Sequence, residues 1–172
     1  MRVAVVPPHY GEGPAAEFVR IGIGFTTSVE GCAALHLAHG LAALTGGSLL
    51  VIAGAWVEPA LAGYAFSSGV VPSLEAEIYE ETKTAVEQWT SDLGEDVPVQ
   101  RETIGGDPAT LLIERSRDLD LLVLGSRAYG PLRHALLGSV SARVMREAHC
   151  PVLVVPRGLD VPTVTVEDES TH

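Results

Sequence analysis

Four short apolar runs limit what this chain can become. Val19–Phe25, Ser48–Gly54, Leu121–Leu124 and Pro151–Val155 contain almost no polar residues. A strand with one wet face alternates apolar and polar side chains, whereas strands covered on both faces read as continuous apolar runs. Val97–Thr103 adds an alternating strand pattern. Helical patterns separate these runs. Ser28 is a good N-cap, with Cys32, Leu35, Ala38, Leu41, Ala42 and Leu44 following at helical spacing, and Gly46-Gly47 ends that helix. Ser73 opens a long helix carrying Leu74, Ile78, Ala85, Trp89 and Leu93 on one face. Gly105-Gly106-Asp107-Pro108 is a turn into another helix, with Asp107 as N-cap and Pro108 at the first helical position. A last helix runs from about Ser139 to His149. Strands alternating with helices predict an α/β fold with a parallel sheet covered on both faces. Right-handed crossovers make it doubly wound, with ligands expected at the carboxyl ends of strands beside the switch point.

The chain has 172 residues, a length that suits one domain. Residues 19–158 carry the alternation, residues 1–18 read as an extra strand and a Gly/Pro linker, and residues 159–172 read as an acidic tail of disordered composition. Eleven Lys plus Arg against twenty-two Asp plus Glu give a formal charge of −11. That balance argues against nucleic acid and against anionic membranes as partners. The longest apolar runs fall far short of the roughly 20 residues a membrane helix needs. MRVAVVPPHYGEG lacks the long apolar core of a signal peptide, and Cys32 and Cys150 are too few for a disulfide framework. A cytoplasmic location is the expectation.

Charge by segment is more informative. The tail Leu159–His172 holds Asp160, Glu167, Asp168 and Glu169 with no cation. Leu121–Gly158 carries Arg127, Arg133, Arg143, Arg146 and Arg157 against Glu147 alone. Arg143 and Arg146 fall late in a helix, where cations suit the dipole. Within this segment Gly125-Ser126-Arg127-Ala128-Tyr129-Gly130-Pro131 follows a strand, and Gly138-Ser139-Val140-Ser141 opens the next helix. Glycines allow a close backbone approach, and a helix N-terminus attracts anions. Such glycines and serines also serve as ordinary turns and caps. The single lysine, Lys83, and the absence of a Walker A sequence exclude a P-loop.

With these residues in view, the chain resembles the universal stress protein family over roughly Val19–Gly158. The family's nucleotide-binding subset has a glycine, two residues, a glycine, nine residues, then Gly-Ser or Gly-Thr. Here those positions are Gly125, Ala128 and Gly138-Ser139. Gly106-Asp107-Pro108-Ala109 matches the turn before the family's third helix, and Ser28 through Leu35 the start of its first. The resemblance implies a Rossmann-like five-stranded parallel sheet in order 3-2-1-4-5 and a homodimer formed largely through the last strand, Val152–Val155. It also implies an adenine nucleotide such as ATP or AMP, with or without Mg, as cofactor. Gly125, Arg127, Gly130, Gly138, Ser139, Val140 and Ser141 would hold phosphates and ribose; Thr26, Thr27, Val51 and Ala53 would line the base and sugar side. Two positions depart from the pattern. Ala128 replaces a glycine, and Thr26 stands where the family usually has an aspartate that contacts the nucleoside.

Residues 3–7, Val-Ala-Val-Val-Pro, echo residues 152–156, Val-Leu-Val-Val-Pro. Family members often occur as tandem domains, and residues 1–18 resemble such a junction, so residues 3–7 are expected to pair with a Val152–Val155 strand in this chain or a partner. Other features have plainer readings. His36 and His39 are three apart with no completing metal ligands; Glu75, Glu77, Glu80, Glu81 and Glu87 form a solvated helix face; Trp56, Tyr64 and Phe66 are either loop packing or a lid. Three functions stay open: a nucleotide-binding regulatory protein, a dimeric interaction module that has lost its nucleotide, and a slow ATPase. No base is fixed near a nucleophile; the first two readings need no catalysis, and the ATPase would need a metal ligand or water-positioning carboxylate, where no aspartate stands at the Thr26 end of the site.

Overall fold

Two glycines in an otherwise apolar strand decide how the layers pack. Arg20–Gly24, with the sequence RIGIG, is the central strand of the sheet, called β2 because Val3–Val5 (β1) precedes it. The computed structural model describes residues 3–6, 18–56, 71–126 and 138–156. After β2 come α1 (Val29–Thr45), β3 (Ser48–Ala55), α2 (Val71–Ser91), β4 (Val99–Gly105) and α3 (Pro108–Arg115). A short 3-10 turn at Ser116–Asp118 leads to β5 (Leu121–Gly125), α4 (Ser139–Glu147) and β6 (Val152–Val155). The acidic tail, Tyr64 and Phe66 lie outside the described residues.

The sheet order is β1-β6-β5-β2-β3-β4. The five strands β2 to β6 run parallel, and numbered from β2 onward their order is 3-2-1-4-5. β1 adds an antiparallel sixth strand on the outer edge of β6, pairing Val3 with Val154, Ala4 with Leu153 and Val5 with Val152.

Strand alternation sends side chains into two cores. Ile21 and Ile23 of β2, Val51 and Ala53 of β3 and Val123 of β5 face α1 and α2. Ile52, Leu122, Leu124, Val152 and Val154 face α3 and α4, where Leu112 and Val144 meet them. Each Ile, Leu or Val among them contributes roughly 1.5–3 kcal/mol when fully buried. The second face of β2 is Gly22 and Gly24. A Cβ on Gly24 would stand 2.6 Å from Leu124 and 3.0 Å from Leu112, and one on Gly22 would overlap Leu119. Glycine therefore lets Leu112 and Leu119 lie directly on the sheet and leaves room for Leu124 of the neighbouring strand.

Caps end the elements where the sequence places them. Ser28 Oγ accepts the Gly31 N–H at 3.1 Å to start α1, and Gly46, with φ of 64°, ends it. Asp120 precedes β5 and accepts the N–H groups of Val19 and Arg20 at 3.1 and 2.7 Å, which ties the start of β2 to its neighbour. Two boundaries differ from the sequence pattern. The strand expected at Val97–Thr103 runs from Val99 to Gly105, because Pro98 has no N–H for the ladder. α2 starts at Val71 rather than Ser73, since Pro72 is tolerated in a first helical turn.

The glycines of α1 give a direct test. A Cβ on Gly31 would overlap the Thr26 carbonyl, whereas one on Gly40 would meet nothing within 4 Å. Gly31→Ala should cost about 1–3 kcal/mol in denaturant unfolding. Gly40→Ala should gain about 0.5–1 kcal/mol by raising helix propensity. Equal effects from the two would contradict this packing.

Candidate functional site

The connections of β2 and β5 leave in opposite directions, one through α1 to β3 and the other through α4 to β6. Their carboxyl ends, Gly24 and Gly125, therefore flank the switch point where open α/β sheets bind ligands. A cavity of about 370 Å³ opens there. That size lies within the roughly 300–1,000 Å³ of small-molecule sites.

Its walls differ in character. One side is apolar, with Ile52, Leu111, Leu112 and Leu124, and Trp56 stands 43% exposed at the mouth. The other side is the first turn of α4: Gly138, Ser139, Val140 and Ser141. The N-termini of α1, α3 and α4 approach this end of the sheet, and the first two are closed by side chains. Ser28 caps α1. Asp107 caps α3 by accepting the Thr110 N–H at 3.1 Å and the Thr110 hydroxyl at 2.6 Å. α4 starts at Gly138 with no side-chain cap. Its ladder begins with Ala142 N–H to the Gly138 carbonyl, 2.9 Å. The N–H groups of Ser139, Val140 and Ser141 thus lack helical acceptors and form a site suited to an anion.

Arg143 is held away from that role. It donates to Asp107 Oδ2 at 2.6 Å and lies 3.5 Å from Glu147. The sequence suggested only a dipole contact; the Asp107 partner lies 36 positions away and no local pattern reveals it. Asp107 is consequently held below the usual carboxylate range. The Thr110 hydroxyl is the main cause, opposed by partial burial and aided by the Thr110 and Ala109 N–H groups and by Arg143. Glu102 is also held low, chiefly by its hydrogen bonds from Arg115, which tie β4 to α3. Burial pushes the Cys150 thiol up to about 11.

Thr26, Gly125, Gly138, Ser139, Val140 and Ser141 line the cavity together. Thr26 Oγ1 lies 3.0 Å from Ser28 Oγ, so the hydroxyl in the aspartate's place is engaged with the α1 cap. Gly125 has a packing reason of its own: a Cβ there would stand 2.7 Å from the Glu30 carbonyl carbon and 2.8 Å from Gly31 N. Thr27 is exposed and does not line the cavity. Val51 and Ala53 are buried in the core beneath α1, on the opposite face of β3. Ile52 and Gly54 take their place, because side chains of a strand alternate faces and the expected phase was one residue off. Arg127 and Gly130 lie outside the described residues. Among the described residues no three His, Cys, Asp or Glu side chains cluster as a metal site, and no helix is long and apolar enough to cross a membrane.

These features define a doubly wound α/β protein with a switch-point pocket floored by an uncapped helix N-terminus. The profile of the universal stress protein family matches residues 17–156, and the chain belongs to that family. A universal stress protein of Methanocaldococcus jannaschii is 33% identical over 101 residues, covering 58% of this chain and 56% of that protein. One from Mycobacterium tuberculosis is 40% identical over 57 residues, covering 33% of this chain and 19% of that protein. The chain therefore spans little more than half of the first relative and about a fifth of the second. Among solved structures, UspA from Lactobacillus plantarum superposes with a TM-score of 0.67 at 21% identity, over 81% of this chain and 99% of that one. A universal stress protein in complex with cAMP gives 0.55 at 23% identity, over 81% and 98%. At such identities the likeness concerns the fold.

The Asp107 cap should show in the pH dependence of stability. A carboxylate whose pKa is lowered by folding stabilises above its unfolded value of 3.8 and ceases to do so as pH falls through the lower folded value. Thr110→Val removes the hydroxyl donor. The wild type's margin over this variant should be largest at neutral pH and close as pH drops below 3.8. Urea unfolding at stepped pH measures it, and a margin that widens in acid would contradict the cap.

Proposed function

We propose that this protein binds an adenine nucleotide and acts as a regulatory protein of the stress response. The observation that carries the reading is the uncapped first turn of α4 facing a cavity whose opposite wall is apolar. A nucleotide has the matching division, with an anionic end and a flat, weakly polar base. The N–H groups of Ser139, Val140 and Ser141 would hold a phosphate, with the Ser139 and Ser141 hydroxyls as further donors. The sequence resemblance would add Arg127 and Gly130 to this phosphate side. Ile52, Leu111 and Trp56 would receive the base, and Thr26 would offer the sugar one hydroxyl. A related fold in complex with cAMP supports an adenine nucleotide over other anions. Any Mg would arrive on the phosphates, since the Asp107 carboxylate is committed to Thr110 and Arg143. In this reading the nucleotide acts as a bound signal and the protein works in the cytoplasm.

Isothermal titration with ATP, AMP and cyclic AMP, together with mass analysis of nucleotide released on heating, tests this. Gly138→Val with Ser139→Ala should weaken binding at least tenfold, about 1.4 kcal/mol. An intact fold that gives no heat with any of the three at millimolar concentration would leave the interaction module as the better reading. Steady phosphate release abolished by the same substitutions would point to the ATPase.

A further inference from the structure

An edge strand with unpaired N–H and C=O groups recruits other strands unless something blunts it. β6 carries Val-Leu-Val-Val, without a charge or a proline within its span, and so needs a cover. The chain supplies one itself: β1 lies antiparallel along the outer edge of β6. The cover is close to a copy of the strand it covers. Residues 3–7 read VAVVP and residues 152–156 read VLVVP, differing only at Ala4 and Leu153.

The register gives this likeness a geometric meaning. Val3 pairs with Val154, Ala4 with Leu153 and Val5 with Val152. Replacing each β1 residue by its counterpart in β6 turns these pairs into Val152 with Val154, Leu153 with Leu153 and Val154 with Val152. Two identical antiparallel strands are related by a two-fold axis, and here the axis falls at Leu153, so the strands overlap along the middle of β6 rather than at a frayed end. An edge that accepts its own sequence antiparallel accepts a second chain by the same contacts, which is an isologous interface.

We propose that β1 is an internal stand-in for the last strand of a second copy of this chain. The outer edge of β6 is then a homotypic docking surface held closed in cis. The tether gives β1 an effective concentration in the millimolar range, above that of free chains under ordinary conditions, so the closed form prevails. Displacing β1 opens the edge and lets two chains pair through Val152–Val155. The homodimer implied by the sequence resemblance therefore forms by exchange with β1 rather than at a free edge.

Alternate N–H groups of a strand point to its partner, so Ala4→Pro with Val5→Pro removes a ladder donor whichever phase applies. Leu153→Cys reports pairing at the axis, since opposed Cα atoms about 4.5–5.5 Å apart lie within disulfide reach. On a Cys32→Ala background, the full chain bearing Leu153→Cys should stay monomeric and unbridged under mild oxidation. Adding the two prolines should double the mass by light scattering and give a dimer bridged through the introduced thiol. A proline variant that stays folded and monomeric overturns the proposal, and so does bridging of the chain with β1 intact. Should the prolines prevent folding, Ala4→Cys with Leu153→Cys decides independently. An internal bridge in a monomer supports the stand-in, and a bridged dimer overturns it.

Discussion

The architecture rests on backbone meeting backbone at the carboxyl ends of the central strands. Gly31 in the first turn of α1 lies against the Thr26 carbonyl, and Gly125 at the end of β5 lies against Glu30 and Gly31. No side chain separates these segments. The helix is consequently seated directly on the two strands whose divergence makes the switch point. Its cap, Ser28, is completed within that contact, with Thr26 beside it. A larger residue at either glycine would push α1 away from the carboxyl ends of β2 and β5, beside which the pocket lies. The pocket is thus shaped by main-chain packing before any lining side chain is considered.

The same ordering explains which parts of the structure were legible. Continuous apolar runs identified the strands because burial on both faces leaves no choice of residue type. Ser28 and Asp107 were legible as caps because a cap acts on an N–H only three positions away. Gly138 and Ser139 stood out through their spacing from Gly125. The side of β3 that faces the pocket was not legible. SLLVIAG is apolar on both faces, so hydrophobicity cannot separate Val51 and Ala53 from Ile52 and Gly54. The glycine at 54 is the only local hint, since Pro108 lies 3.0 Å from where its Cβ would stand. The Arg143–Asp107 pair was equally hidden, because it depends on how α3 and α4 come together.

That pair also sets the electrostatics of the pocket. α3 and α4 both start near it, yet they present opposite faces to an anion. The dipole of α3 is already answered by Asp107, whose charge is in turn met by Arg143. α4 lends Arg143 to its neighbour and has no side-chain cap of its own among the described residues. The basic excess of Leu121–Gly158 is therefore less available than its count suggests, and attraction at the described part of the site comes from oriented N–H groups. Their geometry is fixed by the helix, so they would need little reorganisation to receive an anion.

Cys150 and Cys32 carry a different consequence. Burial raises both thiols above their ordinary value, Cys150 to about 11, so almost none of either is thiolate at neutral pH. Thiolate is the form that reacts with oxidants and disulfides. Both thiols are thus disfavoured as nucleophiles in disulfide exchange. A change of state that ran through Cys150, buried to 1% exposure, would first have to open the core around it.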